Sequence, residues 1–141
     1  MDKFPKSGRG GLNGYVFEVW KRTLVQILAD EAKTTGKQSF ELWDFSAFNE
    51  FTTEAIPSKG DRKSTMRWYW EGGHFKRELG ILILNRMLDR AVQPSEFGVL
   101  LTPDNVNMQI MSVRVLEEQY RRTHTQEINE LVNFSNQRKS K

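Results

Sequence analysis

Cysteine is absent from the 141 residues, which excludes a disulfide framework, a thiol nucleophile and any Cys-ligated zinc or iron–sulfur centre. Histidine is scarce, with only His74 and His124, so a multi-histidine metal centre is excluded as well. Long apolar runs are missing. The longest unbroken aliphatic stretch is Ile81–Leu84, far short of the about 20 residues that span a bilayer. No membrane span, no metal and no cofactor are therefore expected. The N-terminus carries no apolar signal segment and runs into Pro5 and glycine-rich Ser7–Gly11. Lacking both cysteine and a signal, the chain as given suits the cytoplasm; an exported longer parent is the alternative.

What is present is the composition of one folded domain, 38% hydrophobic and 28% charged, rather than of a disordered chain. The net charge of +3 invites comparison with nucleic-acid binders, so its location matters. Lys3, Lys6 and Arg9 outweigh Asp2 at one end, and Arg138, Lys139 and Lys141 crowd the other. The body between them is slightly acidic. Basic tails give at most weak, salt-sensitive attraction to phosphates, and nucleic acid is not the expected partner.

The chain divides into a leader over residues 1–14, a body over 15–134 and a basic tail over 135–141. Phe17, Trp20, Leu24, Ile27 and Leu28 recur at helical spacing and predict an inward-facing stripe on a helix over Tyr15–Thr34, with Gly36 as its stop. Ser39–Phe45 reads as a strand buried on both faces. Ser46–Asp61 has no clear period and reads as loop, and Met66–Trp70 as a short extended segment. A second helix is predicted from His74 through Ala91, buried on most sides, closed by Pro94 and admitting another backbone at Gly80. Phe97–Leu101 is a strand or connector. Thr102-Pro103-Asp104 is a helix start, with Val106, Ile110, Val113 and Tyr120 facing inward. A last short helix begins near Thr125 and uses Ile128, Leu131, Val132 and Phe134.

The stretch richest in chemistry is Trp68-Tyr69-Trp70-Glu71-Gly72-Gly73-His74-Phe75. A carboxylate three residues before a histidine can accept its ring N–H and so fix the tautomer that a general base needs. Placed at a helix N-terminus, His74 would also feel a dipole that disfavours imidazolium. The alternative is that Glu71 caps the helix and His74 is a surface residue. Asp44, at a strand end, reaches a cleft or forms a turn; Asn49 and Thr53 bind substrate or order their loop. Trp43, Trp68 and Trp70 line a pocket or pack the core. Arg62, Lys63 and Arg67 beside Trp68 form the best phosphate-and-stacking cluster, interrupted by Asp61. His124 has no evident role.

Three ordered aromatic-rich blocks carry a resemblance. They are Leu42-Trp43-Asp44-Phe45-Ser46-Ala47-Phe48-Asn49, then Phe51-Thr52-Thr53-Glu54-Ala55-Ile56-Pro57, then Met66 through Phe75 followed by Glu78-Leu79-Gly80. Together they resemble the C-terminal half of bacterial SGNH (GDSL-like) hydrolases, over roughly residues 15 to 132. The resemblance implies an α/β, helix-rich chain with few strands, the C-terminal portion of a flavodoxin-like three-layer sandwich. It implies His74 as base and Glu71 as its orienting carboxylate, Glu standing where that superfamily has Asp, and an acyl ester as substrate; Asp44, Asn49 and Trp70 remain the substrate-binding candidates read from the residues themselves.

The departures are equally specific. No Gly-Asp-Ser block occurs, the first parallel strands are missing, and Ile81 stands where an acidic residue belongs. The chain thus reads as a truncated or split hydrolase domain, inactive alone because a base without a nucleophile transfers no acyl group. Half a sandwich leaves apolar faces uncovered, so a homo-oligomer or a partner chain supplying the missing half is expected. The competing expectations are a non-catalytic helical interaction module and a weak nucleic-acid binder acting through the basic tails and the Arg62–Arg67 cluster.

Overall fold

The computed structural model describes residues 11–58, 60–61, 63–71, 73–88, 97–130 and 133. Helix makes up about 54% of it, and the described strands form two separate two-stranded antiparallel sheets. The class is therefore mixed α/β and rich in helix. Two compact units are distinguished, one holding Met1–Asp44 with Val99–Ile110 and the other Phe45–Gly98 with Met111–Lys141. Ala91, Pro94, Leu131, Val132, Phe134, the tail over 135–141 and the first ten residues lie outside the described residues.

In the first unit, α1 (Gly11–Thr35) begins earlier than the apolar spacing suggests and stops at Gly36, whose φ of 65° is the left-handed conformation that glycine adopts without a Cβ penalty. The orientation of α1 corrects the sequence expectation. Its buried residues are Lys21 and Val25, and Leu24 and Leu28 of the predicted stripe are half-buried, whereas Phe17, Trp20 and Ile27 are exposed, Trp20 by 59%. The cause is an ion pair: Lys21 Nζ lies 2.6 Å from Asp44 Oδ2 inside the unit, which turns the helix so that a charge faces inward. Strand β1 (Leu42–Asp44) pairs with β4 (Val99–Leu101), Trp43 opposite Leu100. The strand is shorter than Ser39–Phe45: Phe40 falls outside it and is 80% exposed, and within it Asp44 is buried while Leu42 and Trp43 are half-buried.

Val25, Leu101, Val106 and Ile110 form this unit's core, with Leu42 and Val99 packed against it. Full burial of each aliphatic side chain contributes about 1.5–3 kcal/mol. The predicted helix start at Thr102 appears as a reciprocal cap on α3 (Val106–Thr123). The Thr102 N–H donates to Asn105 Oδ1 at 2.8 Å and the Asn105 N–H to Thr102 Oγ1 at 3.3 Å, which satisfies backbone groups the helix leaves open. Val106 and Ile110 face inward as expected.

The second unit contains β2 (Tyr69–Glu71), β3 (His74–Phe75) and α2 (Arg77–Met87). Its core is Phe51, Leu79 and Phe97, packed by Phe45, Trp68, Tyr69, Leu82 and Ile83. Phe51 comes from the stretch without a period, and its ring meets Phe97 at 4.4 Å and Trp68 at 5.0 Å between centroids. The second helix starts at Arg77, not His74, because His74 and Phe75 are taken into a strand pair and Lys76, still extended, precedes the first turn. Nor is α2 buried on most sides, since Leu79 is buried but Ile81, Leu84 and Met87 are exposed. A Cβ on Gly80 would stand 3.1 Å from Phe75 Cε2, so the close neighbour is an aromatic ring rather than a backbone. Residues 125–130 are helical, in keeping with the predicted start near Thr125.

Candidate acid–base site on the β2–β3 hairpin

Glu71 and His74 flank Gly72-Gly73 in sequence, and two glycines are what a two-residue hairpin connection favours. The pairing sets Glu71 opposite His74 and Tyr69 opposite Phe75, with the register shifting between Tyr69 and Glu71. That irregularity coincides with Trp70, which is 74% exposed; bulges commonly re-aim a side chain in this way. Glu71 Oε1 makes a hydrogen bond with Nδ1 of His74. Among the described residues the ring makes no other hydrogen bond. A carboxylate accepts only, so Nδ1–H donates, and the neutral form of the ring then carries its lone pair on Nε2, the arrangement of a general base.

The setting differs from the sequence expectation in two respects. His74 belongs to a strand and not to the first turn of a helix, α2 beginning three residues later at Arg77. Its side chain is 80% exposed and that of Glu71 63%, so the pair stands on the surface rather than inside a cleft. The groove in the first unit, about 270 Å³ and lined by Val25, Leu28, Phe40, Leu101 and Pro103 among others, contains neither residue.

The hairpin is braced from outside its own ladder. Both oxygens of Glu54 accept consecutive backbone N–H groups, Oε1 from Arg67 and Oε2 from Trp68, the latter at 2.8 Å. Lys76 Nζ donates to the Met66 carbonyl, and the Lys76 N–H to the Trp68 carbonyl at 2.7 Å. Cations also cover the tryptophans: the Arg67 guanidinium lies 4.3 Å over Trp68 and Lys76 Nζ 4.7 Å over Trp70. Burial, reinforced by the Glu54 charge, raises the Tyr69 phenol above its ordinary value.

The remaining candidates fall as follows. Asp44 lies in the first unit, buried on Lys21. Asn49, Trp70, Glu71 and His74 lie in the second. The Asn49 side chain is occupied by its own turn, Oδ1 accepting from Phe51 N–H at 2.9 Å and Thr52 N–H at 3.1 Å. Thr53 Oγ1 donates to the Asn49 carbonyl at 2.6 Å, so both residues order the loop. Trp43 Nε1 donates to Glu41 at 2.9 Å, and Trp68 packs on the core. Arg62 of the basic cluster lies outside the described residues, while Asp61 accepts the N–H groups of Lys63 and Ser64. His124 stacks on Tyr120 with centroids 3.9 Å apart.

Glu54 is the residue the sequence left without a role; its signal was only its place in the second aromatic-rich block. Among the described residues no three His, Asp or Glu side chains gather at a metal-sized site, and no helix is long and apolar enough to cross a membrane. No family model matches the chain, and neither a curated protein nor a solved structure matches it.

Proposed function

We propose that this chain is the base-bearing part of an SGNH-type hydrolase acting on esters or acyl groups, with His74 as proton acceptor and Glu71 as the carboxylate that orients it. The observation that carries the proposal is the bond from His74 Nδ1 to Glu71, which leaves Nε2 to take a proton. In the complete site a serine hydroxyl would attack the ester carbonyl while its proton passes to Nε2. The resulting imidazolium, stabilised by Glu71, would return that proton to the departing alcohol, and water would repeat the sequence on the acyl-enzyme. The serine is supplied from outside this chain, by a partner carrying the missing half. As a fold, the proposal is the C-terminal portion of a flavodoxin-like sandwich whose parallel sheet needs strands beyond the antiparallel pairs described.

Two measurements test it. Treatment with a fluorophosphonate followed by intact mass should leave the purified chain unmodified; a stoichiometric adduct that vanishes in His74→Ala would place the nucleophile within the chain and overturn the split site. Nitrogen-15 NMR of neutral His74 should find the Nδ1–H tautomer, lost in Glu71→Ala. Identical tautomer populations in both proteins would remove the base assignment.

A second reading, a non-catalytic helical interaction module, is favoured by the apolar side chains that α1 exposes, Tyr15, Val16, Val19, Trp20 and Ile27. Exposed apolar surface of this kind marks association, and a homo-oligomer is proposed. Sedimentation velocity should show concentration-dependent association that Trp20→Glu abolishes. A wild-type chain strictly monomeric at high concentration would end this proposal.

A further inference from the structure

We infer that Glu54 is the positioning residue of the Glu71–His74 hairpin, a single carboxylate that holds the strand on which the acid–base pair is built. The functional consequence rests on the acid–base proposal above; the structural clamp does not. Strands β2 and β3 supply three and two residues, and an isolated two-stranded hairpin is marginal in water even when longer. The bonds that fix this one lie just before it. Glu54 takes the N–H groups of Arg67 and Trp68, while Lys76 takes the carbonyls of Met66 and Trp68. The chain entering β2 is thus held on its donor side by the Glu54 carboxylate and on its acceptor side by Lys76, whose ammonium donates to the Met66 carbonyl and whose backbone N–H donates to that of Trp68.

Glu54 is suited to this in ways that its nearest substitutes are not. Its two oxygens each meet one N–H, and bonds to an ionised acceptor are about twice as strong as neutral ones. Gln offers one acceptor oxygen, and Asp is shorter by a methylene. The carboxylate is delivered by a folded loop: the N–H and Oγ1 of Thr53 both donate to the Asn49 carbonyl, at 3.0 and 2.6 Å, and Asn49 Oδ1 closes the turn in front of buried Phe51. Asn49, Thr53 and Glu54 therefore act in sequence on the hairpin without touching the imidazole. Acid–base geometry tolerates displacements of only about 0.5 Å, so loosening the clamp disperses the Glu71–His74 pair.

The test uses the full chain, nitrogen-15 labelled, as wild type, Glu54→Ala and Glu54→Gln. Amide exchange at Arg67 and Trp68 should accelerate about tenfold or more in Glu54→Ala, as loss of a hydrogen bond to a charged group implies. His74 should lose its Nδ1–H preference in that variant while the amides of α3 keep their protection. Glu54→Gln should give intermediate values for both readouts. Unchanged exchange and an unchanged His74 tautomer in the variants would overturn the inference. Should Glu54→Ala fail to fold, Glu54→Gln decides alone by the same two readouts. Glu71→Ala separates the claims: a tautomer lost there but retained in Glu54→Ala refutes positioning and leaves the acid–base proposal standing. A tautomer unmoved by Glu71→Ala refutes that proposal, and exchange at Arg67 and Trp68 still decides the clamp.

Discussion

Replacing Gly98 with alanine tests the packing of the second unit most directly. Gly98 has φ of 84°, where an L side chain is strained by about 1–2 kcal/mol. A Cβ there would lie 2.8 Å from Phe45 Cδ1 and Cζ and nearer still to Cε1. The Phe45 ring has little freedom to retreat, because it packs on buried Phe97 with centroids 5.0 Å apart. Overpacking of this kind adds about 1–3 kcal/mol, so Gly98→Ala should cost about 2–5 kcal/mol in all. That is a large fraction of the roughly 5–15 kcal/mol that holds an ordinary domain folded. Equilibrium urea unfolding followed by tryptophan fluorescence reads the loss. Adding Phe45→Ala separates the components, since it removes the clash and leaves the backbone strain. The double mutant should then lose less than the two single mutants together, by about 1–3 kcal/mol. A Gly98→Ala protein within about 0.5 kcal/mol of wild type, the range of an innocuous surface change, would refute both parts of this reasoning.

Three further outcomes are expected. Lys21→Met removes a buried ammonium from buried Asp44 and should destabilise by about 3–5 kcal/mol in urea titration, with Lys21→Met/Asp44→Leu recovering much of the loss. Thr102→Ala breaks one half of the α3 cap and should cost about 1 kcal/mol by the same titration. At alkaline pH, Tyr69 and Tyr120 are both held neutral in the folded state, chiefly by burial. The folded protein then binds more protons than the unfolded one above the ordinary phenol value of 10.0. This stabilisation is complete below that pH and is lost as pH rises through the raised values. Phenolate absorbance should show a midpoint for Tyr69 that moves back toward the ordinary value in Glu54→Ala.

Local chemistry was the legible part of this sequence. The α3 start could be read at Thr102 because a cap is made by residues three apart, and Gly36 marked the end of α1 for a similar reason. The spacing of Glu71 and His74 suggested their hydrogen bond. What could not be read was the element carrying them, because Gly72-Gly73 suits a hairpin connection as well as a helix start. The facing of α1 was illegible for a different reason. Periodicity locates an apolar stripe, but which side turns inward depends on Asp44, 23 residues from Lys21 along the chain. Glu54 serves backbone groups 13 and 14 residues away, and no local pattern announces such a bond. Phe51 entered a core from a segment with no period, so the second unit's aromatic cluster was missed as well.

Lys21 and Asp44 also set the azimuth of α1. Successive residues on a helix point about 100° apart, so Lys21 and Trp20 compete for the same inward bearing. A roll of the helix by one residue would seat Trp20 and Ile27 where Lys21 and Leu28 now lie. The ion pair opposes that roll, because turning Lys21 outward would strip buried Asp44 of its ammonium. It thereby acts as a detent that holds a single rotational register, with Trp20 and Ile27 facing outward.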